Sequence, residues 1–239
     1  METEITGHTR KIYRTWKSPH LSVWKKVKEV LVEIVIIVFA VSLAAFLERQ
    51  REHAHEQAEV KEFLSGLRTD LEKDSLEIVS DVGGFTRYSR NYSMIRQVAK
   101  GHIFSADSLV YLRNNTFNAV GFVPNNARYE GFRSSGRINT IEDIRLRNNI
   151  LDLYQMLVPS LVSEISGYQR DQAAFRQFFT NHLVLQPDDS DNFAALLPNP
   201  TVQVMAHSLR NTNWIKTKYG RVATKEQEII HEIDSLYER

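Results

Sequence analysis

The chain has no cysteine among its 239 residues, and it contains only ten glycines and six prolines. Without cysteine it can form no disulfide, no thiolate metal site and no cysteine nucleophile. This absence is compatible with any compartment, including an oxidising one in which stray thiols are a liability. Because glycine and proline are the residues that most often interrupt helices, their scarcity leaves room for long helices.

An excess of charge of one sign is also missing, since 30 Lys and Arg side chains are matched by 29 Asp and Glu side chains. Such a chain has no global basic field for nucleic acid, and we expect no nucleic-acid partner. The sequence has no H-E-x-x-H, P-loop, G-x-G-x-x-G or G-x-S-x-G motif. We therefore predict no catalytic residue, no metal ligand and no cofactor.

The sequence does contain one long apolar run, VLVEIVIIVFAVSLAAFLE, at residues 30–48. Between positions 30 and 47 its only charged side chain is Glu33. A membrane-spanning helix needs about 20 mostly apolar residues. The length of the run is therefore marginal, and it leaves three interpretations: a membrane anchor, a buried helix of a soluble domain, or a cleaved signal peptide.

The flanks of the run favour the membrane anchor, because aromatic rings and lysines are typical of a membrane–water interface. The predicted interface residues are Trp16, Trp24, Lys25, Lys26 and Lys28. Glu33 lies about one turn inside the edge, where a charge costs less than at the centre, and we expect it to pair with a lysine or a partner helix. The small residues of SLAA are followed at once by Phe46 and Leu47, unlike a signal-peptide cleavage site.

The distribution of basic residues predicts an orientation. Seven precede the span: Arg10, Lys11, Arg14, Lys17, Lys25, Lys26 and Lys28. The positive-inside rule then places the N-terminus in the cytoplasm. We predict a basic cytoplasmic leader at residues 1–29, a transmembrane helix at 30–48 and a periplasmic domain at 49–239, anchored by a single pass in the bacterial inner membrane.

Apolar side chains recur at helical steps of four and three within residues 60–78. They are Val60, Leu64, Leu67, Leu71 and Ile78. This spacing predicts either an amphipathic helix that packs on its own domain or a short coiled coil that forms a homo-oligomer. Asp74 interrupts the apolar series. We expect Gly83 and Gly84 to end this helix and a second helix to cover residues 87–99.

The remaining sequence predicts more helices and no clear strand. Ser105 is a candidate cap for a helix over residues 107–115, and Thr140 for a later helix. Pro159 is expected to kink or break its helix, and a helix at 202–239 is expected to be weakened at Gly220. The predicted fold class is all-α, in which an N-terminal transmembrane helix continues into an irregular bundle with long helices.

A serine- and glycine-containing turn is the predicted functional surface of this domain. Its residues are Arg133, Ser134, Ser135, Gly136 and Arg137. Two guanidinium groups, two hydroxyls and turn amides could bind an anion or a partner. The alternative is that serine and glycine serve only the end of a short helix. Two metal-like patterns, Glu228 with His231 and His55 with Glu59, are interpreted as solvated helix faces.

Two segments of the chain together resemble a known family. One is EVLVEIVIIVFAVSLAAFLERQRE followed by FLSGLRTDLEKD, and the other is ARYEGFRSSGRINTIEDIRLRNNILDLY. They resemble the bacterial family called domain of unknown function 6090, whose members look like a short leader, one span with an early Glu, and a helical remainder. Its Y-x-x-(L/F)-x-S-S-G turn and following L-R are matched by Tyr129, Phe132, Ser134, Ser135, Gly136, Leu146 and Arg147. The resemblance implies layout and membrane location, and no chemistry.

The leading hypothesis is a non-enzymatic membrane-anchored protein that acts as an envelope scaffold or interaction partner. Its expected partners are the lipid bilayer, another envelope or membrane protein, and a second copy through residues 60–78. The alternative is a ligand-sensing ectodomain that signals through a membrane partner, with Glu33 as the contact. An enzyme of unrecognised type is a third hypothesis.

Overall fold

A computed structural model describes residues 23–188 and 190–237, with side chains described at all of them except Val23, Lys25 and Lys26. In this part of the chain most of the backbone is helical, and its only β-type pairing is an isolated bridge between Leu185 and Asp191. The all-α prediction is therefore confirmed. The helices are α1 (Val23–Val98), α2 (Ala106–Asn115), α3 (Ala127–Ser134), a 3₁₀ turn (Arg137–Thr140), α4 (Ile144–Asp152), a π-helical turn (Leu153–Leu157), α5 (Val158–His182), α6 (Phe193–Leu196), α7 (Pro200–Leu209) and α8 (Asn213–Tyr237).

The chain divides into two compact units, Met1–Glu59 and Val60–Arg239. The second unit begins at Val60. Its core joins the later part of α1 to the helices that follow. Aromatic rings fill much of this core, and two groups stand out. They are Phe85, Tyr168 and Tyr219, and Phe117, Phe175, Phe179 and Phe193.

The apolar series of residues 60–78 lies inside this core. Each of its five members is at most 4% exposed: Val60, Leu64, Leu67, Leu71 and Ile78. The interpretation as an amphipathic helix that packs on its own domain is confirmed. These side chains are not available to a second copy, so the structure gives no support to a homo-oligomer through this series.

Helix α1 does not end at Gly83 and Gly84, and the predicted break there is wrong. The helix continues to Val98 and includes the segment that was expected to be separate. Gly84 is buried, and a Cβ at this position would lie 2.5 Å from a methyl carbon of Val120. Glycine is therefore used here to let a neighbouring loop approach the helix closely, not to stop it.

We expect Gly84→Ala to destabilise the protein by about 1–2 kcal/mol, because a methyl group must displace the stiff side chain of Val120. Gly83→Ala is the matched control, since its Cβ would meet only the flexible Arg87 at 3.5 Å. The control should gain up to about 1 kcal/mol from helix propensity. Thermal unfolding of the full chain in mild detergent measures both, and equal shifts for the two variants would contradict the close-packing explanation.

Pro159 does not break the helix either. It lies at the start of α5, directly after the π-helical turn Leu153–Leu157. Proline has no N–H for the carbonyl of residue 155, and its ring would collide with that carbonyl in a regular α-helix. The wider π turn accommodates the proline, so α4, the π turn and α5 follow one another without an intervening loop.

One of the two predicted helix caps is confirmed and the other is wrong. Ser105 caps α2, with its hydroxyl accepting from the backbone N–H of Ser108. Thr140 does not cap α4, because Asp143 occupies that position and accepts from Leu146 N–H at 3.0 Å. The C-terminal region is interrupted between α7 and α8, at residues 210–212, and α8 runs through Gly220.

Candidate functional site

The first part of α1 presents apolar side chains to the outside. Only 6% of its most apolar 18-residue window is buried. Its exposed large hydrophobic residues include Leu31, Val32, Ile34, Val35, Ile36, Val38, Phe39, Val41, Leu43, Phe46 and Leu47. Because consecutive positions are exposed, the apolar surface is not confined to one stripe. Only Val30, Glu33 and Ile37, which share one side of the helix, are less exposed. By length and composition this helix can cross a membrane.

The charged and aromatic residues around this surface have distinct environments. Glu33 is 8% exposed, although most of its neighbours are exposed, and it already takes part in a polar interaction. Trp24 is 81% exposed and Lys28 is exposed. Trp16 lies outside the described residues, as do the side chains of Lys25 and Lys26, so the predicted interface at these positions stays a prediction.

The turn at residues 133–137 has its hydroxyl groups occupied by the backbone. Ser134 donates to the carbonyl of Gly131 at 3.1 Å, and Ser135 donates to the carbonyl of Phe132 at 2.8 Å. Arg133 pairs with Glu130 at 3.1 Å, and Arg137 also has an interaction partner. The two hydroxyls satisfy carbonyls at the C-terminus of α3, and both arginines are already engaged, which favours the structural alternative over an anion site.

Gly136 adopts φ 77° after the end of α3, as expected for a glycine at the C′ position. Gly136→Ala should cost about 1 kcal/mol, because an L-residue is strained in this region. Gly131→Ala, inside α3 and with open space at its Cβ, should instead be stabilising by a similar amount. Thermal unfolding of the two variants tests this contrast. If both thermal midpoints shifted in the same direction, the turn would not require glycine at position 136.

A groove of about 620 Å³ lies between the π-helical turn and α8. Its lining residues are Asp152, Met156, Leu157, Thr217, Gly220, Arg221, Thr224, Lys225 and Glu228. Lys225 is engaged, with its Nζ 2.8 Å from Glu228 and 3.0 Å from the side-chain oxygen of Asn149. Arg221 and Asp152 make no hydrogen bond or ion pair with any residue that the structure describes. The groove thus combines two uncommitted charges of opposite sign with an apolar wall.

A pair of buried acids lies elsewhere in the second unit, where α1 meets α8. Asp74 and Glu226 are each 1% exposed. Asn125 donates its backbone N–H and its side-chain amide to Asp74, and Ser75 donates to Glu226 at 2.9 Å. Burial raises the pKa of Glu226 to about 8, with the neighbouring Asp74 charge acting in the same direction. Burial also raises the pKa of Asp74, against the effect of the Asn125 hydrogen bonds.

The sequence did not identify the groove or the acid pair as sites. Their signals were present in the sequence as irregularities: Asp74 in an apolar series, and Gly220 and Pro159 inside predicted helical segments. As for metals, the structure within residues 23–188 and 190–237 places no three His, Asp or Glu side chains where they could hold an ion. His55 and Glu59 are neighbours at 3.7 Å on an exposed helix surface.

No family model, curated protein or solved structure matches this chain. The resemblance to the uncharacterised bacterial family therefore stays a prediction. What is established is the class of molecule: an all-α protein that has, within residues 23–188 and 190–237, one helix long and apolar enough to cross a membrane.

Proposed function

We propose that this protein is a non-enzymatic, single-pass membrane protein whose helical domain binds another envelope or membrane protein. The observation that carries the proposal is the exposed apolar surface on most sides of the first part of α1. A contiguous exposed apolar surface marks a membrane or protein contact. Lipid covers a helix on every side, whereas docking on a single protein face would cover only one stripe of it.

The proposal includes a location and an orientation. The positive leader supports a cytoplasmic N-terminus and a periplasmic domain at the bacterial inner membrane. The resemblance to the family of single-pass proteins supports the same layout. Glu33 is proposed to contribute to a contact in the membrane, because it is the only charge among the residues at positions 30–47 and such charges are often functional.

In-membrane crosslinking of the full chain tests this function. A specific protein should crosslink to the wild type in its native membrane and co-purify in mild detergent. Glu33→Leu should reduce its recovery severalfold, while Glu48→Gln, a change at the end of the run, should not. If no protein crosslinks specifically, or if Glu33→Leu leaves both localisation and recovery unchanged, the proposed partner role is lost.

A ligand-sensing ectodomain is the second candidate function. The groove beside the π-helical turn favours it, since its volume of about 620 Å³ is within the range of small-molecule sites, about 300–1,000 Å³. A ligand bound there would contact both α8 and the π-helical turn. The thermal midpoint of the full chain should then rise with ligand concentration.

A further inference from the structure

The two walls of the groove are built differently. On one side, Thr217, Gly220, Arg221, Thr224 and Glu228 recur at helical steps along α8. On the other side is the π-helical turn, with Met156 65% exposed. Turns of this kind interrupt regular hydrogen bonding at a local cost and are frequent at functional sites. The groove thus lies where the irregular π-helical turn runs beside the regular helix α8.

Gly220 is a second irregularity on the same groove. A glycine inside a helix is less stable than alanine by about 1 kcal/mol. Packing does not require it, because a Cβ at Gly220 would meet no atom within 4 Å. Its backbone conformation does not require it either, since it is not among the glycines with positive φ. Because Gly220 has no side chain, it leaves space in the groove through which a ligand could approach the backbone of α8.

The charges in the groove define the ligand that would fit it. Lys225 and Glu228 largely neutralise one another at 2.8 Å. Arg221 is left with a guanidinium that can bind a carboxylate in a bidentate manner. Asp152 is left with a carboxylate that can accept from an ammonium group. Met156 and Leu157 supply an apolar surface, and the hydroxyl of Thr224 adds a polar group that makes no hydrogen bond within the described part of the chain.

We propose that this groove binds a small zwitterion, a free amino acid or a short peptide, with its carboxylate on Arg221 and its ammonium on Asp152. The apolar side chain of the ligand would lie against Met156 and Leu157. This inference rests on the second candidate function, which it deepens by naming a ligand class. It does not depend on the membrane anchor or on a protein partner.

The full chain in mild detergent is titrated calorimetrically with L-leucine and with leucyl-leucine, which separate the two sources of the zwitterion. We expect saturable binding of at least one of them, with a Kd below about 1 mM. N-acetyl-leucine lacks the ammonium and leucinamide lacks the carboxylate. Each analogue should bind at least about tenfold more weakly than leucine, as expected for the loss of one charge-assisted pair.

Substitutions of groove residues then test whether the ligand binds in the groove. Arg221→Gln and Asp152→Asn should each weaken it at least about tenfold. Gly220→Leu should abolish it while leaving the thermal midpoint equal or higher, which a purely structural role would not produce. Arg210→Gln is the control, because Arg210 lines a separate polar pocket of about 460 Å³ with Ser93 and His207.

The outcomes separate this inference from the function on which it rests. Equal binding of leucine and its two analogues, or no effect of Arg221→Gln, would overturn the zwitterion assignment. Binding of inorganic phosphate or maltose in place of leucine, lost in Gly220→Leu, would overturn the assignment but support a ligand-sensing domain. If none of these probes binds, both the assignment and the sensing role of this groove are rejected.

Discussion

Two arginines in the middle of the apolar run, Val35→Arg together with Phe39→Arg, should release the protein from the membrane. The thirteen Val, Ile, Leu and Phe residues at positions 30–47 favour insertion by about 0.3–0.6 kcal/mol each, or roughly 4–8 kcal/mol together. One central arginine costs about 2.5–3.5 kcal/mol and leaves insertion favourable. Two cost about 5–7 kcal/mol, which offsets most or all of the gain. We therefore expect a partial loss for Phe39→Arg and a much larger loss for the double variant.

Membrane fractionation followed by an alkaline carbonate wash measures how much of each variant is released from the membrane, because the wash removes peripheral proteins and leaves spanning ones. The matched control is Val35→Leu with Phe39→Leu, which alters the same two exposed positions without adding charge. It should remain in the washed membrane like the wild type. A double arginine variant that also remains there would exclude residues 30–48 as the anchor.

The apolar patterns of the sequence predicted the helices and their buried faces well. Leu64, Leu67 and Leu71 are buried as their spacing indicates, because helical periodicity records which side of a helix avoids water. The local rules for caps also succeeded where one side chain decides the outcome, as at Ser105 and Gly136. These features depend on neighbours only a few residues apart along the chain.

The prediction of a break at Gly83 and Gly84 failed because a distant neighbour determines the role of Gly84. Gly84 is a glycine because Val120 approaches it across 36 positions, and a local rule interprets such a residue as a break. Pro159 was expected to kink or break its helix, and the helix is not broken because the π turn before it removes the clash. Gly84 and Pro159 remain within helical structure, as does Gly220, where the helix was expected to be weakened. Gly220 and the π turn that precedes Pro159 border the groove, so conflicts between local propensity and a continuous helix are themselves a signal of a site.

The buried acid Glu226 should make the stability of the protein fall as the pH rises. Its pKa is 4.5 in its ordinary state and about 8 in the folded protein. Below pH 4.5 the carboxyl group is protonated in both states, and its contribution is fully present. Between the two values the unfolded chain loses the proton and the folded chain retains it, so unfolding becomes easier. Above pH 8 both states are ionised, and roughly 3–5 kcal/mol has been lost.

Glu226→Gln should remove most of this pH dependence, because an amide of nearly the same shape can keep the hydrogen bond to Ser75 and never ionises. The variant and the wild type should have similar thermal midpoints near pH 4.5. At pH 8.5 the variant should be the more stable protein. Thermal unfolding of the full chain in the same mild detergent, followed by circular dichroism at both pH values, measures the difference.

Glu228→Gln is the control for this comparison, since Glu228 lies on the same helix but at the surface. Its hydrogen bond and ion pair with Lys225 lower the pKa of Glu228, so its contribution is present above the unfolded pKa and disappears as the pH falls. Its substitution should therefore have the opposite pH trend and a small effect, because surface ion pairs contribute little. If Glu226→Gln tracked the wild type from pH 4.5 to 8.5, the carboxyl group would already be ionised at low pH. Glu226 would then be a buried carboxylate at the contact between α1 and α8, and not a neutral, protonated carboxyl group.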